Sequence, residues 1–247
     1  MKGWRNVLLG LGAALCTILQ PAFAGAAQGW PARGEIVYNL SMGNGPQVGE
    51  ARHSWAHDGS TYHIETRVRT VGMAALIARL QYVQRSEGRV LADGLQPQRF
   101  TVTREGRAAE QASFDWAAGQ LVLTRKERRR ELPLRAATQD VLSLWHQIAI
   151  AGSRPLPAPL QVVTGRKAAD STLSWEGEEE LTVPLGKLRT RRLKASADDG
   201  SMSIEVWFAI DRNMLPVRIR MVDDDGDVLD QQASELRFDM RTTGRTQ

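Results

Sequence analysis

From Gly34 onward the chain is written in short runs of alternating apolar and polar residues, cut by clusters of glycine, asparagine, aspartate and proline. Successive side chains of a strand point to opposite faces, so a period of two is the pattern of half-buried antiparallel strands. Ile36, Tyr38 and Leu40 alternate with Val37 and Asn39, and Gly43-Asn44-Gly45-Pro46 then supplies a hairpin loop. The returning run, Val48 to His57, reaches Asp58-Gly59-Ser60, after which Tyr62, Ile64, Thr66 and Val68 share a face. Further strands are expected at Tyr82–Glu87, Phe100–Glu105, Ala112–Trp116, Gln120–Arg125 and Glu131–Leu134. In the second half they are expected at Leu160–Thr164, Ser171–Trp175, Glu179–Pro184, Leu188–Ala195, Met202–Ile210, Val217–Val222 and Asp227–Asp239. The fold class that follows is mainly β, a large curved antiparallel sheet or half-open barrel with one or two short apolar helices.

Two stretches depart from the alternation. Between Val71 and Leu80, the residues Met73, Leu76, Ile77 and Leu80 follow helical spacing, which predicts a short apolar helix. From Gln139 to Ile150, Val141, Leu144, Trp145 and Ile148 share a face, with Thr138 placed to cap and Asp140 placed at the positive end of the dipole. Prolines 155, 157 and 159 make Gly152–Pro159 an extended connector inside a single domain spanning 25–247. Pro precedes Gly at two hairpins, Pro46 to Gly49 and Pro184 to Gly186, but turn chemistry accounts for that without a duplication.

Residues 1–24 read as a cleavable secretory signal. Lys2 and Arg5 form a positive start, Val7 to Leu19 is a 13-residue apolar run, and Pro21-Ala22-Phe23-Ala24 ends small-x-small. The run is short of the roughly 20 residues that span hydrocarbon, so no transmembrane span is expected after cleavage. Cys16 follows Leu15, which does not suit lipid attachment, and it is the chain's one cysteine. The mature chain therefore has no disulfide and no thiolate metal site to draw on. Lys2 and Arg5 supply two of the four net positive charges, leaving +2 for residues 25–247. That is too weak a field to point to nucleic acid.

The usual chemical signatures are missing. No Gly-x-Ser-x-Gly is present, and His53, His57, His63 and His146 suggest no triad order. His53 and His57 share a strand face, so a two- or three-histidine metal site is geometrically open, but exposed strand histidines explain them better and no metal or cofactor is implied. Aligning Gly226 of Asp223-Asp224-Asp225-Gly226-Asp227 with a calcium-loop glycine puts Met221 and Gln232 at ligand positions, so an acidic hairpin tip is expected instead. The acidic run Glu176–Glu180 reads as a solvated edge or turn. Arg125–Arg130 reads as the basic tip of a long hairpin between Leu121, Leu123 and Leu132, Leu134. Arg128, Arg129 and Arg130 are the surface residues there that would meet another protein or a membrane surface. Gly165-Arg166-Lys167 lacks the rest of a phosphate loop.

Six tryptophans, at 30, 55, 116, 145, 175 and 207, remain in the mature chain. Either they fill the core or they line an apolar pocket. Gly34-Glu35, Val48-Gly49-Glu50-Ala51, Ser86-Glu87-Gly88, Gly94-Leu95-x-Pro97, Phe114-Asp115-Trp116 and Gln139-Asp140 with Ser143 together resemble a family of proteobacterial envelope proteins known as a domain of unknown function. The resemblance covers most of the mature chain and implies an exported, mainly β protein, with no catalytic residue to carry over. Val183-Pro184-Leu185-Gly186, Val206-Trp207-Phe208-Ala209-Ile210-Asp211 and Leu215-Pro216-Val217 look like the closing strands of periplasmic lipoprotein-carrier folds. That likeness implies a helix-capped half-barrel in which Met73, Leu76, Ile77, Leu80 and Trp145 form a pocket mouth or lid.

The reading that follows is a periplasmic, non-catalytic protein that binds or carries a hydrophobic lipid or acyl ligand in envelope biogenesis. An envelope structural or interaction protein is the rival. An enzyme using Asp115 and Asp140 as paired carboxylates ranks third, because lone acids near aromatic residues are more often caps and turn residues.

Overall fold

The computed structural model describes residues 29–77, 80–152, 154–155, 158–200, 202–223 and 225–239. The signal-like segment Met1–Ala24 and Pro157 of the connector lie outside the described residues. The alternating runs become β1 (Arg33–Met42), β2 (Gln47–His57), β3 (Thr61–Thr70), β4 (Gln81–Leu91), β5 (Gly94–Arg104), β6 (Glu110–Asp115), β7 (Gln120–Arg125) and β8 (Arg128–Pro133). A four-residue helix, α1 (Ala74–Ile77), lies in the β3–β4 connection. Beyond β8 come β9 (Gln139–Asp140), helix α2 (Ser143–Ala151), β10 (Leu160–Val163), β11 (Ala168–Val183), β12 (Gly186–Ala197), β13 (Met202–Ala209), β14 (Leu215–Asp223) and β15 (Val228–Asp239).

All fifteen strands belong to one sheet in the order β8-β7-β6-β5-β4-β3-β2-β1-β15-β14-β13-β12-β11-β10-β9. The chain therefore makes two meanders, and its first and last strands join them in the middle, with Gly34 opposite Phe238 and Met42 opposite Leu229. Every neighbouring pair is antiparallel except β9 with β10. A sheet of this width twists and curls rather than lying flat. Its β9 edge comes back toward the first meander: Gln139 of β9 donates to the Leu95 carbonyl of β5, the fourth strand from the opposite edge, at 2.9 Å. The curl is not a closed barrel, because no backbone ladder joins β9 or β10 to β5.

Helix α2 fills one end of the curl. Leu144, Trp145 and Ile148 pack on Leu160, Leu193, Val206, Phe208 and Ile219. A larger core of Ile36, Tyr38, Ile64, Phe100, Leu121 and Val217 runs through the first meander and across the β1–β15 seam. Glycine is required where backbones and rings come close. A Cβ on Gly34 would stand 2.3 Å from the Trp55 ring and 2.8 Å from Phe238 Cβ, so the indole lies flush over the first strand.

Four local expectations change. The helix expected over Val71–Leu80 is a single turn, because a short helix needs a buried face and Met73 and Leu76 are exposed. The second helix starts at Ser143 rather than Gln139, since Gln139 and Asp140 pair with Val162 and Val163. Thr138 does not cap it: the single proton of its hydroxyl faces two acceptors, the Arg135 carbonyl at 2.8 Å and Gln161 Oε1 at 2.7 Å. The strands expected at 171–175 and 179–184 are one strand, kinked at Gly177 (φ 127°) by a bulge, so the acidic run lies on a strand facing Arg189 and Arg191 of β12.

Gly34→Ala is expected to cost about 1–3 kcal/mol through overpacking against Trp55. A urea melt read by tryptophan fluorescence checks this, and an unchanged midpoint would contradict the packing described.

Candidate functional site

Antiparallel meanders send alternate loops to opposite ends. The β1–β2, β3–β4, β5–β6, β7–β8, β10–β11, β12–β13 and β14–β15 loops therefore share one end, and α2 occupies the other. Among the described residues, the exposed large apolar side chains are Met42, Met73, Leu76, Leu80 and Met202. All five belong to loops or strand ends at the end opposite α2. Their gathering at one end sets them apart from the singly scattered exposed apolar residues that are ordinary on protein surfaces.

Below this rim the two halves of the curled sheet enclose a cavity of about 300 Å³, walled by Val68, Val102, Ile204 and Ile219 and reaching His53 and Trp145. A second cavity of about 390 Å³ opens at Met42, Leu80 and Leu229. The two share Val68, Tyr82, Met202 and Met221, so they adjoin one another, the outer one at the rim and the inner one reaching Trp145. On one side the walls are polar, with Gln84, Arg104, Glu110 and Arg166 beside the inner cavity. Asp223 and Asp227 line the outer cavity.

The closed end is held by a buried polar chain. Trp30 Nε1 donates to His146 Nδ1 at 2.9 Å, and indole can only donate. His146 must therefore carry its proton on Nε2 and donate to His53 Nε2, 2.8 Å away. His53 in turn donates from Nδ1 to Thr66 Oγ1 at 2.7 Å. Each link requires both rings neutral, and burial enforces this. Burial pushes His53 down to about 4 and holds His146 well below the usual histidine range, where His53 and His57 add to the effect. Trp30 also stacks on His57 with 4.4 Å between ring centroids.

A second buried network starts α2. Tyr62 donates to Ser86 Oγ at 3.0 Å, and Ser86 donates to Asp140 Oδ2 at 2.5 Å. Asp140 Oδ1 accepts the Leu142 and Ser143 amides, so this carboxylate, rather than Thr138, satisfies the entry to the helix. Burial raises Asp140 to about 6, and burial followed by the Asp140 charge raises Tyr62 well above its ordinary value. Asp115 takes the amides of Ala117 and Ala118 in the β6–β7 turn. Both acids weighed as a catalytic pair are thus bonded to local backbone.

Of the residues expected at a pocket mouth, Leu80 lines the outer cavity, while Met73 and Leu76 are exposed in the connection beside it. Ile77 ends α1, and its side chain lies outside the described residues. Trp145 lines the inner cavity at the closed end, not the mouth, because α2 enters the curl from that side. Arg128, Arg129 and Arg130 are exposed on β8, an edge of the sheet, with Arg129 paired to Glu131 at 2.8 Å. His53 and His57 do not converge on a metal position, and His63 pairs with Glu87 at the surface. Among the described residues no group of three histidines, cysteines or acids is arranged to hold a metal ion. No helix among them is long and apolar enough to cross a membrane.

The histidine chain makes stability depend on pH. Unfolding lets both rings take a proton near pH 6.5, which the folded protein resists until about pH 4 at His53 and until well below the usual histidine range at His146. The stability they confer is complete above pH 6.5 and is lost as pH falls below it. Asp140 works in the opposite sense, because unfolded it releases its proton near 3.8 and folded near 6. The net expectation is a loss of stability worth about one proton per pH unit between pH 6 and 4.5. Melts across this range test it, and a His53→Gln/His146→Gln variant should reverse the slope. A wild-type profile flat from pH 7.5 to 4.5 would contradict the neutral chain.

A solved structure similar to this chain is the β-barrel-like protein of the domain of unknown function DUF1849 from Brucella abortus, 11% identical, with a TM-score of 0.56 over 85% of this chain and 99% of that one. A candidate lipoprotein from Parabacteroides distasonis is 10% identical over 85% and 98% of the two chains, with a TM-score of 0.38. A candidate exported protein with a YmcC-like fold from Bacteroides fragilis is 10% identical over 84% and 96%, with a TM-score of 0.37. At these identities the Brucella likeness bears on the fold alone, and the other two carry no argument. No curated protein matches the chain. The family model described as protein of unknown function (DUF3108) matches residues 37–232, nearly the whole of the curled sheet, and the chain belongs to that family.

Proposed function

We propose that this protein is exported to the periplasm and there binds, without covalent chemistry, a ligand bearing an apolar chain, which it holds in water between envelope surfaces. The observation that carries the reading is a pair of adjoining, mostly apolar cavities, the outer beside the exposed rim of Met42, Leu80 and Met202 and the inner reaching Trp145. Cavities of a few hundred Å³ with mostly apolar walls and a few polar groups are the usual form of small-ligand sites. Methionine at the mouth suits a surface that adapts to flexible chains. The signal-like segment Met1–Ala24 supports export.

Burial of one methylene is worth about 0.8 kcal/mol, or roughly fourfold in affinity. A series of straight-chain alcohols titrated calorimetrically should therefore tighten by about fourfold per added carbon and then level off once the cavities are full. Ile204→Trp, which fills the inner cavity from its wall, should abolish that gain while leaving the fold intact by circular dichroism. A natively purified protein that carries no extractable lipid and binds none of the series would overturn the reading.

A further inference from the structure

Glu110 is the most heavily surrounded acid in the described structure. Its side chain is only 4% exposed, and its Oε1 lies 3.1 Å from Arg104, 2.8 Å from Arg166 and 3.6 Å from Arg125. Among the described residues no other carboxylate has three arginines within salt-bridge distance. Three guanidiniums around one buried carboxylate give the cluster a formal charge of +2, carried on arginine side chains that are a quarter to a half exposed. One good partner would satisfy a buried acid, and each further cation adds like-charge repulsion. The excess needs another explanation, and its position provides one, because Arg104 and Arg166 both line the inner cavity.

We propose that Arg104 and Arg166 bind the anionic headgroup, a carboxylate or a phosphate monoester, of an amphiphile whose chain lies in the apolar cavities. This rests on the cavity reading above and names the ligand class. A guanidinium carries five donors, and Glu110 engages one on each of these two arginines, which leaves forked donors that match carboxylate or phosphate. The pair is held in place before a ligand arrives. Thr164 Oγ1 accepts the amides of Arg166 and Lys167, and Gly165 packs so tightly on Glu110 that a Cβ there would lie 2.8 Å from the Glu110 Cβ. Arg104 stands 5.6 Å over the ring of Tyr82, and Tyr82 walls both cavities, so the basic group meets the apolar cavities at that ring.

The test compares dodecanol, dodecanoate and dodecyl phosphate, which share a chain and differ in headgroup. With the wild-type protein at low salt, at least one of the anions should bind roughly tenfold or more tightly than dodecanol, as charged hydrogen bonds allow. The tighter anion identifies the headgroup. Arg104→Gln/Arg166→Gln should erase that advantage and leave dodecanol binding unchanged. Arg166→Gln alone, which keeps two arginines on Glu110, serves if the double variant does not fold and should weaken the anion selectively. Equal affinity of the wild-type protein for all three, or an advantage that survives either variant, would overturn the headgroup site while leaving the cavity reading intact. Failure of dodecanol to bind at all would overturn the cavity reading itself.

Discussion

The pairing of the first strand with the last governs this structure. Without the β1–β15 ladder the chain would be two separate meanders, each with an open apolar face and no common interior. With it, fifteen twisted strands form one sheet whose edges must curl toward each other. The curl then needs something to fill it. At one end α2 and the Trp30 segment do so, and at the other nothing among the described residues does. The apolar cavities are therefore a consequence of topology: a sheet wide enough to curl, with a helix short enough to plug only one end.

The plug is unusual in being partly polar. A chain of Trp30, His146, His53 and Thr66 crosses the closed end with every donor direction fixed by the indole at its start. Buried polar groups are tolerable when fully satisfied, and they then specify one arrangement where apolar packing would allow several. Here the arrangement they specify is the docking of residue 30 and of α2 onto β2 and β3. The Tyr62–Ser86–Asp140 network fixes the start of the same helix against β3 and β4. Together they set how far α2 enters the curl, and so how much of the interior is left for a guest.

Much of the fold was legible because a strand's side-chain period is local. The β7–β8 hairpin forms where its leucines place it, with Leu121 opposite Leu132, although its turn is shorter than expected and Arg128–Arg130 belong to β8 rather than to the tip. Errors arose where tertiary contacts overrode local pattern. Met73, Leu76 and Leu80 keep helical spacing, yet each is exposed, so among the described residues nothing covers that face. Gln139 and Asp140 extend a helical face on paper, but they pair with β10 because its edge needed a partner. The site was far less legible. His146 lies off the apolar face of Val141, Leu144, Trp145 and Ile148, so nothing local marks it as buried or joins it to His53, 93 residues away. Arg166 lies in a turn whose sequence, Gly165-Arg166-Lys167, carries no phosphate-loop pattern. Its partner Glu110 is 56 residues away and reaches it only through the curl.

The central claim is that the interior of the curl is a seat for a chain and not merely imperfect packing. A crystal structure with 12-bromododecanoate tests it most directly, since the bromine reports the far end of the chain by anomalous scattering. The account requires a bromine peak in the inner cavity between Ile219 and Trp145, with the carboxylate near Arg104 and Arg166. Bromine confined to the outer surface, or an interior that collapses and excludes the chain, would contradict it.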